Sequence, residues 1–264
     1  MTNQLKDKQV RTPPFFIIGC VRSGTTLLRN VLRNHPNLVS PEESHFFRWS
    51  EPFGTPQSTR LLSSTTNAIL RKHREMDGIS ENEFNDIFNK SVSRADLQKR
   101  YMQKYLINNK LEGKRWFDKT PQNVYCASMI ATDFPGSKLV HIVRNPVDVV
   151  SSLRIGKVVK IDNLIGACNY WNEAAAIIHV LKRAYRDRVY EVKYEDFTSN
   201  FLPELEKMLA YLNEDFDAEW FSEFATTPKE HDHSELFTPE ELNKIEKLCG
   251  RWGRHYGYFD KNIK

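Results

Sequence analysis

Residues 15-FFIIGCVRSGTTLLRNVLRNHP-36 decide how this chain is read. An apolar run forms a strand, Gly19 and Gly24 bracket a short loop, and an amphipathic helix follows at once. Helix N-termini carry free N–H groups and partial positive charge, so the unit is an anion cradle. A Walker A loop places lysine directly after its second glycine. Here Thr25 and Thr26 follow Gly24, and the cation is Arg22, inside the loop. A guanidinium offers two parallel hydrogen bonds to phosphate or sulfate oxygens. Gly24 lets the backbone approach closely, and Ser23, Thr25 and Thr26 add donors. Ser23 or Thr25 also reads as an ordinary helix cap, with Leu27, Leu28, Val31 and Leu32 covering a sheet.

Outward from this unit, FFIIGC (15–20), RWFD (115–118), KLVHIV (138–143) and RVYEVKY (188–194) read as strands separated by helical patterns. That alternation predicts an α/β fold, a central parallel sheet flanked by crossover helices, with ligand chemistry at the carboxyl ends of the strands. Residues 48–112 show charged helical stretches and no strand pattern, and read as a helical insertion. Helices are expected at 163–185 and at 238–254, the latter opening T-P-E-E. The expectation is one domain over 1–264 carrying the insertion.

The chain is 40% hydrophobic and 27% charged, the composition of an ordinary globular protein. Its net charge of +4 suits an anionic ligand, but 38 basic residues are spread among 34 acidic ones, which disfavours a nucleic-acid partner. Cys20, Cys126, Cys168 and Cys249 form no C-x-x-C pair, so neither a zinc site nor a redox motif is expected. The polar opening MTNQLKDKQVRTPP lacks a signal-peptide core and no run is long enough to span a membrane, which reads as cytoplasmic.

A second anion site is expected in 138-KLVHIVRNPVDVVSSL-153. A strand ends at Arg144, Asn145 is the expected N-cap, Pro146 takes the first helical position and Asp148 lies near the capping-box position. Arg144 and Ser152 are placed to share one phosphate. The strand-Arg-Ser-Gly-Thr-Thr-helix unit, followed by strand-Arg-Asn-Pro and a serine eight residues after that arginine, resembles the sulfotransferase family. The resemblance implies a P-loop-like fold and the donor 3′-phosphoadenosine 5′-phosphosulfate (PAPS), with adenosine 3′,5′-bisphosphate as product and no metal required. It puts Arg22, Ser23, Gly24, Thr25 and Thr26 at the 5′ end, Arg144 and Ser152 on the 3′-phosphate, and Tyr194 on the adenine.

Sulfuryl transfer to a hydroxyl needs a base for the acceptor proton and positive charge at the leaving oxygen. The Lys-Thr-His histidine of small-molecule members is absent, because this chain reads Lys119-Thr120-Pro121. The stretch 40-SPEESHFF-47 resembles instead the glutamate-base pattern of glycan and tyrosyl-protein members and makes Glu43 the preferred base. Glu42 and His45 stay open as alternatives, and Ser40 to Glu43 also fits a capping box. Lys119, with Arg22, is expected to stabilise the leaving oxygen; its alternative is a pair with Asp118. The acceptor is a hydroxyl of a metabolite, glycan, lipid or tyrosine, with Phe46, Phe47, Trp49 and Phe53 as possible walls. Two rival readings remain: a P-loop kinase or NTPase, and a non-catalytic nucleotide-binding module.

Overall fold

The structure is a computed structural model and describes residues 12–48, 51–62, 68–156, 159–224 and 236–260. Strands β1 (Phe15–Ile18), β2 (Leu38–Val39), β3 (Arg115–Lys119), β4 (Lys138–Val143) and β5 (Val189–Lys193) form one sheet in the order β2-β3-β1-β4-β5, every pair parallel. The four strands expected from the sequence are present. The fifth, β2, is a two-residue edge strand, too short to show a hydrophobic period.

Helices α1 (Thr25–Leu32), α2 (Pro56–Leu62), α3 (Ala68–Met76), α4 (Glu81–Lys90), α5 (Arg94–Asn108) and α6 (Ala127–Asp133) precede β4. They are followed by α7 (Pro146–Arg154), α8 (Leu164–Ala184), α9 (Tyr194–Ser199), α10 (Phe201–Leu212) and α11 (Pro239–His255). Central β1 is buried on both faces, which is why it reads as an unbroken apolar run. Phe15 and Ile17 pack into a core with Leu28 and Val31 of α1 and Leu205 and Leu209 of α10. Phe16 and Ile18 point the other way, into a core with Val149 of α7, Trp171 of α8 and Ile245 of α11.

The expected insertion is helical, α2 to α5, and it is fastened to the sheet domain rather than hinged on it. Phe46 packs edge-on against Tyr101 of α5 with ring centroids 5.2 Å apart, and Arg94 Nη1 donates to the Phe46 carbonyl at 3.0 Å. Phe46 and Phe47 are therefore core residues and not pocket walls. Phe53 is half-buried against Phe88, and Trp49 lies outside the described residues. Thr238 opens α11 with a capping box to Glu241 and Pro239 in its first turn, as its sequence predicts. All four cysteines are free and buried. Among the described residues no helix is long and apolar enough to cross a membrane.

The register sets the site. Ile17 aligns with Lys119, Ile18 with His141, and Val143 with Lys193, so the segments after β1, β3, β4 and β5 leave the sheet at one edge. The chain leaves β1 toward β2 and leaves β4 toward β5, which makes the β1/β4 boundary the topological switch where α/β sheets hold ligands.

Candidate active site

Beyond β1 the backbone enters a loop that only glycine can open and close. A Cβ on Gly19 would sit 2.8 Å from the His141 ring, and one on Gly24, at φ +97°, would sit 2.5 Å from the Tyr194 ring. Gly24 is the N-cap of α1, and no side chain caps that helix. The capping roles open to Ser23 and Thr25 are thus not taken. Ser23 is fully buried and its Oγ has no hydrogen-bond partner. Arg22 stands in the left-handed region at φ 70°, exposed, and its Nε donates to Ser152 Oγ on α7 at 2.8 Å.

Lys119 is the last residue of β3 itself, and its buried ammonium reaches two groups. It donates to Thr26 Oγ1 at 3.3 Å and bonds Oε1 of Glu43. The alternative pairing with Asp118 is not made, because successive strand residues face opposite sides. Asp118 instead accepts from Asn123 Nδ2 at 3.0 Å and from Thr120 Oγ1 at 3.4 Å, and burial pushes its carboxyl up to about 6. Burial also holds Lys119 below the ordinary lysine range, against the opposing pull of Glu43.

The second carboxylate oxygen of Glu43 lies 3.3 Å from His45 Nε2. Burial alone would raise this carboxyl, but the His45 hydrogen bond and the Lys119 charge outweigh it and hold the group at about 2. Burial keeps His45 below the usual histidine value. No helix starts at Ser40, so the capping-box reading of Ser40 to Glu43 is overturned. The neighbouring Glu42 has a different job. Its carboxylate bonds Arg29 Nη1 at 2.6 Å and Arg33 Nη1 at 3.2 Å, and its N–H donates to Asp77 at 2.7 Å, fastening the segment to α1 and to the insertion.

Arg144 leaves β4 with its Nε 3.3 Å from Asp148 and its guanidinium 4.4 Å from the centre of the Tyr194 ring. Asn145 caps α7 through the Val147 N–H at 3.0 Å, as its sequence predicts. Tyr194 opens α9 and its ring lies against Gly24, so it bridges the two loops. Ser152 is bonded to Arg22 and not to Arg144. The segments carrying Arg22 to Thr26, Glu43, Lys119, Arg144, Ser152 and Tyr194 therefore converge at one sheet edge. Sequence reasoning missed the Arg29–Glu42–Arg33 clamp, His73, whose Nδ1 lies 3.1 Å from the Glu43 carbonyl, and Arg48. The four-residue spacing of Arg29 and Arg33 on one helix was a usable signal for the clamp; His73 and Arg48 had none.

Residues 13–218 match the sequence model of the Sulfotransferase family, and the chain belongs to that family. Nodulation protein NoeE of Sinorhizobium fredii is 30% identical over 145 residues, 53% of this chain and 30% of the relative. The chain spans less than a third of the length of the curated relatives it matches. The sulfotransferase domain of the Synechococcus PCC 7002 olefin synthase superposes with a TM-score of 0.62 at 23% identity, over 99% of this chain and 94% of that one. Mouse sulfotransferase SULT7A1, solved in complex with PAP, superposes at 0.51 and 14% identity, over 94% and 86%. These likenesses establish the sulfotransferase fold.

Proposed function

We propose that the chain transfers a sulfuryl group from PAPS to a hydroxyl acceptor, with Glu43 as base. One observation carries this reading: the buried Lys119 ammonium bonds both the Glu43 carboxylate and Thr26 of the anion loop, which joins base and anion site through a single cation. The residues also fit the donor. Ser23 offers a buried hydroxyl with no partner, α1 has no side-chain cap, and Gly24 leaves no room for a Cβ beside Tyr194. Arg22, Ser23, Gly24, Thr25 and Thr26 would hold the 5′ end, Arg144 and Ser152 the 3′-phosphate, and Tyr194 the adenine. The mouse neighbour was solved in complex with PAP, which supports the same nucleotide class.

When bound, the donor supplies an activated sulfuryl group on a phosphate that leaves as part of the bisphosphate. Glu43 accepts the acceptor proton at a carboxylate oxygen, and His45 orients that carboxylate through Nε2. Lys119 and Arg22 place positive charge where negative charge gathers on the leaving side. A carboxylate held at about 2 is a weak base, so Lys119 must shift its bond from Glu43 toward the anion loop for the proton to move. The same ammonium thus serves both steps. Asp118, next to β1 where an NTPase would keep its metal-binding aspartate, is fully buried and bonded to Asn123 and Thr120.

The test is calorimetric titration of adenosine 3′,5′-bisphosphate against Mg-ATP in the wild type and in Arg144→Ala. Bisphosphate preference that collapses in Arg144→Ala is the expected result. Preference for Mg-ATP with Arg144→Ala indifferent would sink the assignment.

A further inference from the structure

Beyond α11 the chain turns sharply and lays two tyrosines, 256-YGY-258, on the elements that follow the anion loops. The Gly257 N–H donates to the Arg254 carbonyl at 3.2 Å and the Tyr258 N–H to the Gly253 carbonyl at 2.8 Å, with Gly257 at φ 75°. That pair of bonds is a Schellman motif, which fixes the direction in which Tyr258 leaves the helix. Each phenol then donates to one carboxylate. Tyr256 bonds Glu191 Oε1 at 2.7 Å, and Tyr258 bonds Glu195 Oε2 at 2.9 Å.

The two carboxylates hold different parts of the site. Glu191, on β5, lies 3.3 Å from His141 Nδ1, and the His141 ring abuts Gly19 of the first loop. Glu195, on α9, accepts the Asn145 N–H through Oε1 at 2.9 Å. The carbonyl of the same peptide unit, that of Arg144, accepts from Trp171 Nε1 at 3.0 Å. The planar Arg144–Asn145 peptide is therefore gripped at both ends, and the rotation of that plane sets where the Arg144 side chain departs. Its guanidinium lies 4.4 Å from the ring of Tyr194, the residue before Glu195.

Resting on the sulfotransfer reading above, in which Arg144 takes the 3′-phosphate, we propose that Glu195 and Tyr258 are positioning residues for Arg144. The turn after α11 then sets how strongly the site prefers a 3′-phosphorylated nucleotide. Both residues act through the backbone: Tyr258 fixes the Glu195 carboxylate, the carboxylate fixes the Asn145 N–H, and Arg144 is aimed from a held peptide. A guanidinium fork meets phosphate oxygens over a narrow range of directions. A small rotation of that peptide therefore costs affinity for the 3′-phosphate and leaves the 5′ end alone. Tyr256 serves the first loop instead, through Glu191 and His141, which makes it the internal comparison.

The test titrates adenosine 3′,5′-bisphosphate and adenosine 5′-monophosphate, which lacks only the 3′-phosphate, into the whole chain by calorimetry. The variants are Tyr258→Phe, Glu195→Ala, Glu195→Gln and Tyr256→Phe, with Arg144→Ala as reference, and urea unfolding checks that each is folded. In the wild type the bisphosphate should bind more tightly. Tyr258→Phe should shrink that preference about threefold to tenfold, the net worth of one hydrogen bond, with monophosphate affinity held within about twofold. Glu195→Ala should shrink it further, and Glu195→Gln, whose amide oxygen still accepts the Asn145 N–H, should keep part of it. Tyr256→Phe should leave the preference intact. Equal loss for both nucleotides in Tyr258→Phe and Glu195→Ala would mark a purely structural contact and overturn the proposal. An intact preference in both variants, or an equal shrinkage in Tyr256→Phe, would overturn it as well. A preference that is absent from the wild type, or indifferent to Arg144→Ala, overturns the donor reading and this proposal with it.

Discussion

Arg22 Nε donates to Ser152 Oγ at 2.8 Å across 130 residues of chain, tying the loop after β1 to the helix after β4. The two halves of the proposed nucleotide site are thereby coupled before any ligand arrives. Ser152→Ala should weaken adenosine 3′,5′-bisphosphate binding about threefold to tenfold, the net worth of one typical hydrogen bond. Arg22→Ala should cost roughly 10- to 100-fold, and the double variant should fall short of the product, because each change removes the same contact. Calorimetry on the three variants checks this; strict additivity would mean that the bond contributes nothing to binding.

Glu43 and Glu42 are adjacent in the chain and have separate partners, Lys119 and His45 for one, Arg29 and Arg33 for the other. Glu43→Gln should lower turnover by about 10² to 10⁴, the range of a lost general base, with bisphosphate affinity held within about twofold. Glu42→Gln should leave turnover near wild type and cost on the order of 1–3 kcal/mol of stability, because Arg29 and Arg33 lose their carboxylate. Steady-state kinetics and urea unfolding on both variants separate the two. The reverse pattern would move the base to Glu42.

Gly24→Ala should damage both loops at once. The new Cβ would meet the Tyr194 ring at 2.5 Å and force a side chain into φ +97°. A cost of about 1–3 kcal/mol in stability is expected, with weaker bisphosphate binding as the ring is displaced from the first loop. Unchanged unfolding and unchanged binding would show that the close approach has no consequence in solution.

The pH dependence of stability follows from Asp118. Its carboxyl is pushed up to about 6 in the folded chain, so its contribution is fully present below the ordinary aspartate range and is lost as pH rises through about 6. Between about pH 4 and pH 7 this group should remove on the order of 2 kcal/mol from the wild type, and Asp118→Asn should lack that loss. Asp77, also raised to about 6, leaves a residual slope in the variant. Glu43 works in the opposite sense: held at about 2, it adds stability above the ordinary glutamate range that disappears only as pH falls toward 2. Urea titrations on both sides of pH 6 read the difference; identical slopes for wild type and Asp118→Asn would refute the assignment.

Much of this molecule is legible along the chain because its signals are local. Apolar runs buried on both faces mark β1 and β4, and Asn145-Pro146 marks the start of α7. The glycines of the first loop also declare themselves, since a strand, a positive φ and a helix start lie within ten residues. Edge strand β2 is invisible because two residues have no period. The segment 40-SPEE-43 misleads as a cap because side-chain spacing cannot say whether a helix follows; contacts to Arg29, Arg33 and Asp77 hold it in an irregular path with a bend at Glu42 instead.

The sequence by itself determined the sheet class, the two strand-loop-helix units with the arginines they carry, and the family, because each rests on residues close together in the chain. Only the tertiary structure decided which groups meet: Arg22 with Ser152, Lys119 with Glu43 and Thr26, and Tyr194 with Gly24. The physical reason is the parallel sheet. Its crossovers place segments tens of residues apart at one edge, and strand register, which no local pattern encodes, selects the side chains that come within hydrogen-bond reach.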